Sequence, residues 1–81
     1  MKIKFASDII KITLENEEPF AGRSLTMSGE VLDYGFSAIV STIRWLSSDE
    51  ENALSDTDKE IVCRLIRNYN KNSNFIIQLV K

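Results

Sequence analysis

The sequence predicts an α+β domain, a small antiparallel sheet of about four strands in the order β-β-β-α-α-β, with the helices packed on one face. Three observations carry that prediction. Early runs alternate apolar and polar residues at the strand period. A later run beginning at Ser55 is capped and repeats its apolar residues at the helical period. The last run, "FIIQLV", is apolar on both parities.

Residues 2 to 5 alternate lysine with Ile3 and Phe5, a strand with one buried face. Residues 9 to 15 repeat the pattern, with Ile10, Ile12 and Leu14 on one side and Lys11, Thr13 and Glu15 on the other. Ala6-Ser7-Asp8 between them is short enough for a hairpin. Glu17, Glu18 and Pro19 stop the second strand, because proline fixes φ and donates no ladder hydrogen bond. After Gly22 a third strand runs from Arg23 to Val31, with Leu25, Met27 and Val31 of one parity. Gly29 lies on that same side and marks a bulge or a close backbone approach.

Residues 36 to 46, "FSAIVSTIRWL", read in two ways. Phe36, Ile39, Val40, Ile43 and Leu46 fall at i, i+3, i+4, i+7 and i+10, which is helical spacing. The β-branched residues and serines favour a strand. Neither parity is cleanly apolar, so a helix is the expectation and a strand the alternative. The second helix is better marked. Ser55 caps it with Asp58 three residues on, Asp56 and Glu60 suit the positive end of its dipole, and Ile61, Val62, Leu65, Ile66 and Tyr69 form its apolar stripe. Arg64, Arg67 and Lys71 suit the negative end, and "NYNKNSN" ends it, since asparagine tolerates a left-handed turn. Residues 75 to 80 are expected as a central strand, covered on both faces.

A chain of 81 residues holds one domain, here 1–81, and has no room for two. Cys63 is the only cysteine, so no internal disulfide forms and the core must supply the stability. Its place beside the apolar stripe makes it a small semi-buried residue rather than a reactive thiol. No apolar run approaches the roughly 18 residues of a membrane span, and Phe5-Ala6-Ser7-Asp8 is no signal-peptide core. A cytoplasmic protein with no membrane partner is expected.

Catalysis lacks its parts. Histidine is absent, and adjacent Glu50 and Glu51 have no visible means of separating their pKa values. Asp49, Glu50, Glu51, Asn52, Asp56 and Asp58 lack the calcium-loop spacing and read as a solvated acidic loop leading into a capped helix. No enzyme activity, no metal and no cofactor are expected.

The formal net charge is only −2, but residues 49 to 60 concentrate Asp49, Glu50, Glu51, Asp56, Asp58 and Glu60 against one Lys59. Nucleic acid is repelled by such a segment, whereas a basic protein is attracted. Trp45, the only tryptophan, stands four residues ahead of three consecutive acids. It either packs on the core or supplies buried area at the centre of an interface.

Four stretches, "MKIKF", "LTMSGE", "FSAIVSTIRW" and "LSDTDKEIVCRLI", occur in that order. Together they resemble a family of small bacterial immunity proteins that neutralise polymorphic toxins, the contact-dependent inhibition type among them. The most specific pieces are Ser41-Thr42-Ile43-Arg44-Trp45 and the acidic spacer leading to the helix. Family members often carry a proline soon after the tryptophan, where this chain reads Leu46-Ser47-Ser48. The resemblance implies a non-catalytic cytoplasmic protein that binds one cognate toxin C-terminal domain, commonly a basic nuclease, and blocks access of its substrate. It further implies toxin contacts at Asp49, Glu50 and Glu51, then Glu30 and Asp33, with Trp45 or Tyr34 as the apolar centre. The alternative is a non-catalytic interaction module, an adaptor or assembly subunit, unrelated to toxins. The oligomeric state is left open.

Overall fold

A computed structural model describes residues 1–47 and 50–81, with Glu50 and Glu51 described by their backbone alone. The elements in chain order are β1 (Lys2–Phe5), β2 (Ile9–Thr13), β3 (Ser24–Leu32), β4 (Gly35–Ser47), β5 (Glu50–Ala53), α1 (Asp56–Lys71) and β6 (Ile76–Val80). Strands β1 to β5 pair in sequence order, each antiparallel to the last. The outer edge of β4 is shared, with β6 running parallel to its first half and β5 antiparallel to its end.

This corrects the expected β-β-β-α-α-β plan: among the described residues there are six strands and one helix. Residues 36 to 46 are the greater part of β4, not a helix. The cause is an irregularity in the β3–β4 ladder. Thr26 pairs with Arg44 and Ser28 with Ile39, so β3 advances two residues while β4 advances five. Three extra residues are an odd number, and an odd excess moves the apolar set to the other parity. Phe36 and Ala38 face the core before the bulge, Ile43 and Trp45 after it, and all four are buried. Even-numbered positions followed by odd ones fit neither alternating template, and with Ile39, Val40 and Leu46 they imitate a helical period.

Thr42 holds the bulge. Its Oγ1 accepts the Ser28 N–H at 2.8 Å and donates to the Ile39 carbonyl at 2.6 Å, supplying the bonds that a regular ladder would have made. Replacing Thr42 by valine keeps the shape and removes both bonds. A loss of about 1 kcal/mol is expected in urea denaturation, given the solvent access at this site; an unchanged midpoint would show that the bulge holds without them.

The core lies between one sheet face and α1. Ile10, Ile12 and Leu14 from the β2 side, Leu25 and Met27 of β3, the four β4 residues and Ile77 of β6 meet Val62 and Ile66 of α1. Leu65 and Tyr69, expected within the stripe, are only partly buried, and Cys63 joins the buried side instead. Ser55 caps α1 as expected, its Oγ accepting the Asp58 N–H at 3.1 Å. At the other end Asn72 has φ −120°, not the left-handed turn expected of it.

Strand β6 is the second topological correction, because it lies beside β4 alone and not in the centre of the sheet. Asn70 of α1 reaches the free edge: its Nδ2 donates to the Ile77 carbonyl at 2.8 Å, and its Oδ1 accepts the Ile77 N–H at 2.9 Å. A side-chain amide thus occupies the ladder position of a neighbouring strand, which lets an apolar strand stand at an edge. Gly35 permits the β4–β6 pairing at its start, since a Cβ there would lie 1.8 Å from the Ile76 carbonyl oxygen. Gly29 likewise marks a close approach, to the Ser37 carbonyl.

Candidate interaction surfaces

Each expected contact residue belongs to one of three places. Glu50 and Glu51 are paired through their backbones with Ser47 and Leu46 at the end of β4, while Asp49 lies outside the described residues. From β5 the chain passes through buried Leu54 and the Ser55 cap into α1. Asp56 and Glu60 are exposed there and Asp58 is half-buried. Asp56 and Asp58 lie in the first turn of α1, next to the positive end of the helix dipole. Among the described residues both ion pairs belong to the Met1 ammonium, so Asp56, Asp58 and Glu60 have no cation within salt-bridge distance.

Glu30, Asp33 and Tyr34 belong to the opposite end of β4, at the tip of the β3–β4 hairpin, where Glu30 pairs with Ser37 and Leu32 with Gly35. All three are exposed, Tyr34 at 56%. Tyr34 borders a cleft with Arg67 and Asn70 of α1. The expected second-rank contacts are therefore not brought together with Glu50 and Glu51.

Of the two places the sequence left open for Trp45, the core and the apolar centre of an interface, the residue takes the core. It is 4% exposed. Phe20 meets the indole edge-on with ring centroids 4.9 Å apart, and the Arg23 guanidinium lies 3.9 Å from the indole centroid. A ring sealed by an aromatic and a cation contributes to stability and offers no area to a partner. The reason is again the bulge, which turns Trp45, with Ile43, to the same side as Phe36 and Ala38.

Burial pushes the Cys63 thiol up from its ordinary 9.0 against the opposing effect of Arg67, so the sulfur stays protonated and unreactive near neutral pH. Among the described residues no group of three or more His, Cys, Asp or Glu side chains is placed to hold a metal ion. No helix among the described residues is long and apolar enough to cross a membrane.

The Met1 ammonium is held on two sides, by Glu15 and Glu17, each at 3.1 Å. Burial disfavours its charged form, but the hydrogen bonds and charges of both carboxylates outweigh that and raise its pKa above 8.0. Burial likewise opposes the Glu17 carboxylate, while hydrogen bonds from the ammonium and from the Glu15 N–H hold its pKa below 4.5. The ammonium's contribution to stability is complete below pH 8.0 and is lost as pH rises through its raised value; that of Glu17 is complete above pH 4.5 and is lost as pH falls through its lowered value. Glu17→Gln is expected to flatten both flanks of the stability–pH profile, by less than about 1 kcal/mol since water screens the pair. Thermal melts at acid, neutral and alkaline pH check this, and an unaltered profile would contradict it.

Sequence reasoning passed over the sheet face turned away from α1. Lys2, Lys4, Lys11 and Arg44 lie there with Thr13, Ser24 and Thr26, as do Ile9, Ser28, Glu30, Ile39 and Val80. The signal was available, since the alternation that turns Ile3, Ile10 and Ile12 towards the core sends Lys2, Lys4 and Lys11 to one common face. No protein-family model, no curated protein and no solved structure matches the chain.

Proposed function

We propose that this chain is an immunity protein that binds and neutralises a cognate bacterial toxin domain, a nuclease with a basic surface. The acids running from the end of β4 through β5 into the first turns of α1 make the contact. The observation that carries this reading is a set of carboxylates, Asp56, Asp58 and Glu60, on the first turns of α1, none of which forms an ion pair among the described residues although Lys59 lies between two of them. The pieces from Ser41 to Trp45 and from Leu54 to Ile66, which resemble the immunity family, flank the same region and support it.

In this mechanism the chain forms and breaks no bonds. Its carboxylates steer the toxin domain into encounter, take the positions of nucleic-acid phosphates on its basic surface, and exclude the substrate. Trp45 acts from beneath by fixing the end of β4 from which β5 departs, and Tyr34 lies too far along β4 to join the contact.

Co-expression tests the reading. Cells producing the toxin domain encoded directly upstream are expected to survive when this chain is present and to die without it. Death in both cases, with the chain folded and abundant, would remove the toxin-neutralising role and favour an adaptor.

A further inference from the structure

We infer that two copies of this chain associate through the sheet face turned away from α1, about a twofold axis running across the strands. This goes beyond the proposed toxin contact, which lies at the β5–α1 junction.

The face is organised in cross-strand rows. Register places Ile9 opposite Ser28, Ser28 opposite Ile39, and Ile39 opposite Val80, so one row crosses four strands. Its apolar members are all exposed, Ile9 at 42%, Ile39 at 37% and Val80 at 38%. Scattered apolar residues need no partner, whereas three in one row make a patch. One same-face step to one side, Lys4 pairs with Lys11, Lys11 with Thr26, and Thr26 with Arg44. One step to the other side is Glu30, which with Asp8, Ser28, Ile39 and Val80 lines a hollow of about 470 Å³. The face is thus basic at one end, aliphatic in the middle and acidic at the other.

A second copy matches all three zones at once. Rotation about an axis along the aliphatic row sets that row on itself and inverts the strand direction, while each strand stays opposite its own copy. Glu30 of one copy then lies over the Lys11–Thr26–Arg44 row of its partner, and Asp8 faces Lys11. None of Asp8, Glu30, Lys4 or Lys11 has an ion-pair partner among the described residues. The Arg44 guanidinium is turned back to the Ile43 carbonyl at 2.7 Å, which leaves Lys4 and Lys11 as the free cations. A basic toxin domain would match only the acidic end and be repelled by the lysines. Two sheets stacked with aligned strands are a common packing.

The smaller extents of the molecule are 24 and 22 Å. Strand and row spacings then give a contact of roughly 500–600 Å² per copy, at the small end of specific interfaces, so association depends on concentration.

Sedimentation velocity tests this on the full chain. A monomer–dimer equilibrium is expected, with a dissociation constant on the order of 10–100 µM. Ile39→Lys, on an exposed site, is expected to keep the circular dichroism spectrum and weaken association at least tenfold. Two charge-reversed chains, K4E/K11E and D8K/E30K, are expected to be monomeric alone and to associate when mixed, because each then carries the charge the other needs. A wild-type chain that is folded and monomeric throughout would overturn the proposal. So would reversed chains that associate alone as well as the wild type, or an Ile39→Lys chain that dimerises undiminished. None of these results bears on toxin neutralisation, since Asp56, Asp58 and Glu60 belong to α1 on the opposite face of the sheet.

Discussion

Phe36→Ala is expected to leave the domain largely unfolded at 37 °C. Phe36 is the largest of the fully buried side chains and sits where three strands converge, opposite Val31 of β3 and Ile77 of β6. Its ring lies 6.5 Å from that of Phe5, which in turn stacks on Phe75 at 5.1 Å. Truncation removes the buried end of that aromatic series and leaves a cavity in the core beneath β4, at a cost of about 3–5 kcal/mol. A chain of 81 residues has about 4–12 kcal/mol in all, so one such loss is comparable to the whole. The urea midpoint should collapse, whereas Tyr34→Ala, on an exposed ring, should move stability by no more than about 0.5 kcal/mol. A Phe36→Ala chain with a near-normal midpoint would mean that the core is not centred on β4.

Neutralising the acids of the β5–α1 junction is expected to slow capture of the proposed toxin partner without unfolding the chain. Replacing Asp49, Glu50, Glu51, Asp56 and Glu60 by their amides takes the formal net charge from −2 to +3, five carboxylates being removed. Steering depends on the field of the whole surface, so the association rate should fall roughly 10- to 100-fold at low ionic strength. Wild type and variant should converge as salt is raised, because exposed charges are screened beyond about 10 Å at 0.1 M. The folding cost is small: Asp56 loses its favourable place at the helix start, about 0.3–1 kcal/mol, and the Ser55 cap is untouched. Stopped-flow association at several salt concentrations measures the effect. Equal rates at low salt would assign the acids to solubility.

Local patterns carried most of the elements. The alternation of residues 2–5, 9–15 and 23–31 foretold β1, β2 and β3 to within two residues at each end, because each keeps one parity throughout. The Ser55–Asp58 cap foretold the start of α1, since it is a contact between near neighbours. What failed was set by contacts distant in sequence. Three extra residues in β4, bridged by Thr42 to Ser28 on another strand, disguised a strand as a helix. β5, "EENA", has no apolar alternation and exists by pairing with β4. β6 read as central because its apolar faces suggested cover, yet the cover at its free edge is a single amide, Asn70.

The candidate site divided along the same line. The acids of residues 50 to 60 were legible as a cluster because they are neighbours in sequence. For Trp45 the sequence offered both a core and an interface place, and what decides for the core is cover from Phe20 and Arg23 in a loop twenty-odd residues earlier. Glu30 was expected as a second-rank contact beside the acidic segment, but it pairs near the start of β4 and Glu50 at its end, so most of the strand separates them.

The most direct measurement is cleavage of nucleic acid by the proposed partner, a toxin domain encoded beside this chain, titrated with the chain at low salt. Inhibition is expected to be complete at one chain per toxin domain and to weaken as salt rises or when the junction acids are neutralised. Undiminished cleavage in the presence of excess folded chain would contradict the account.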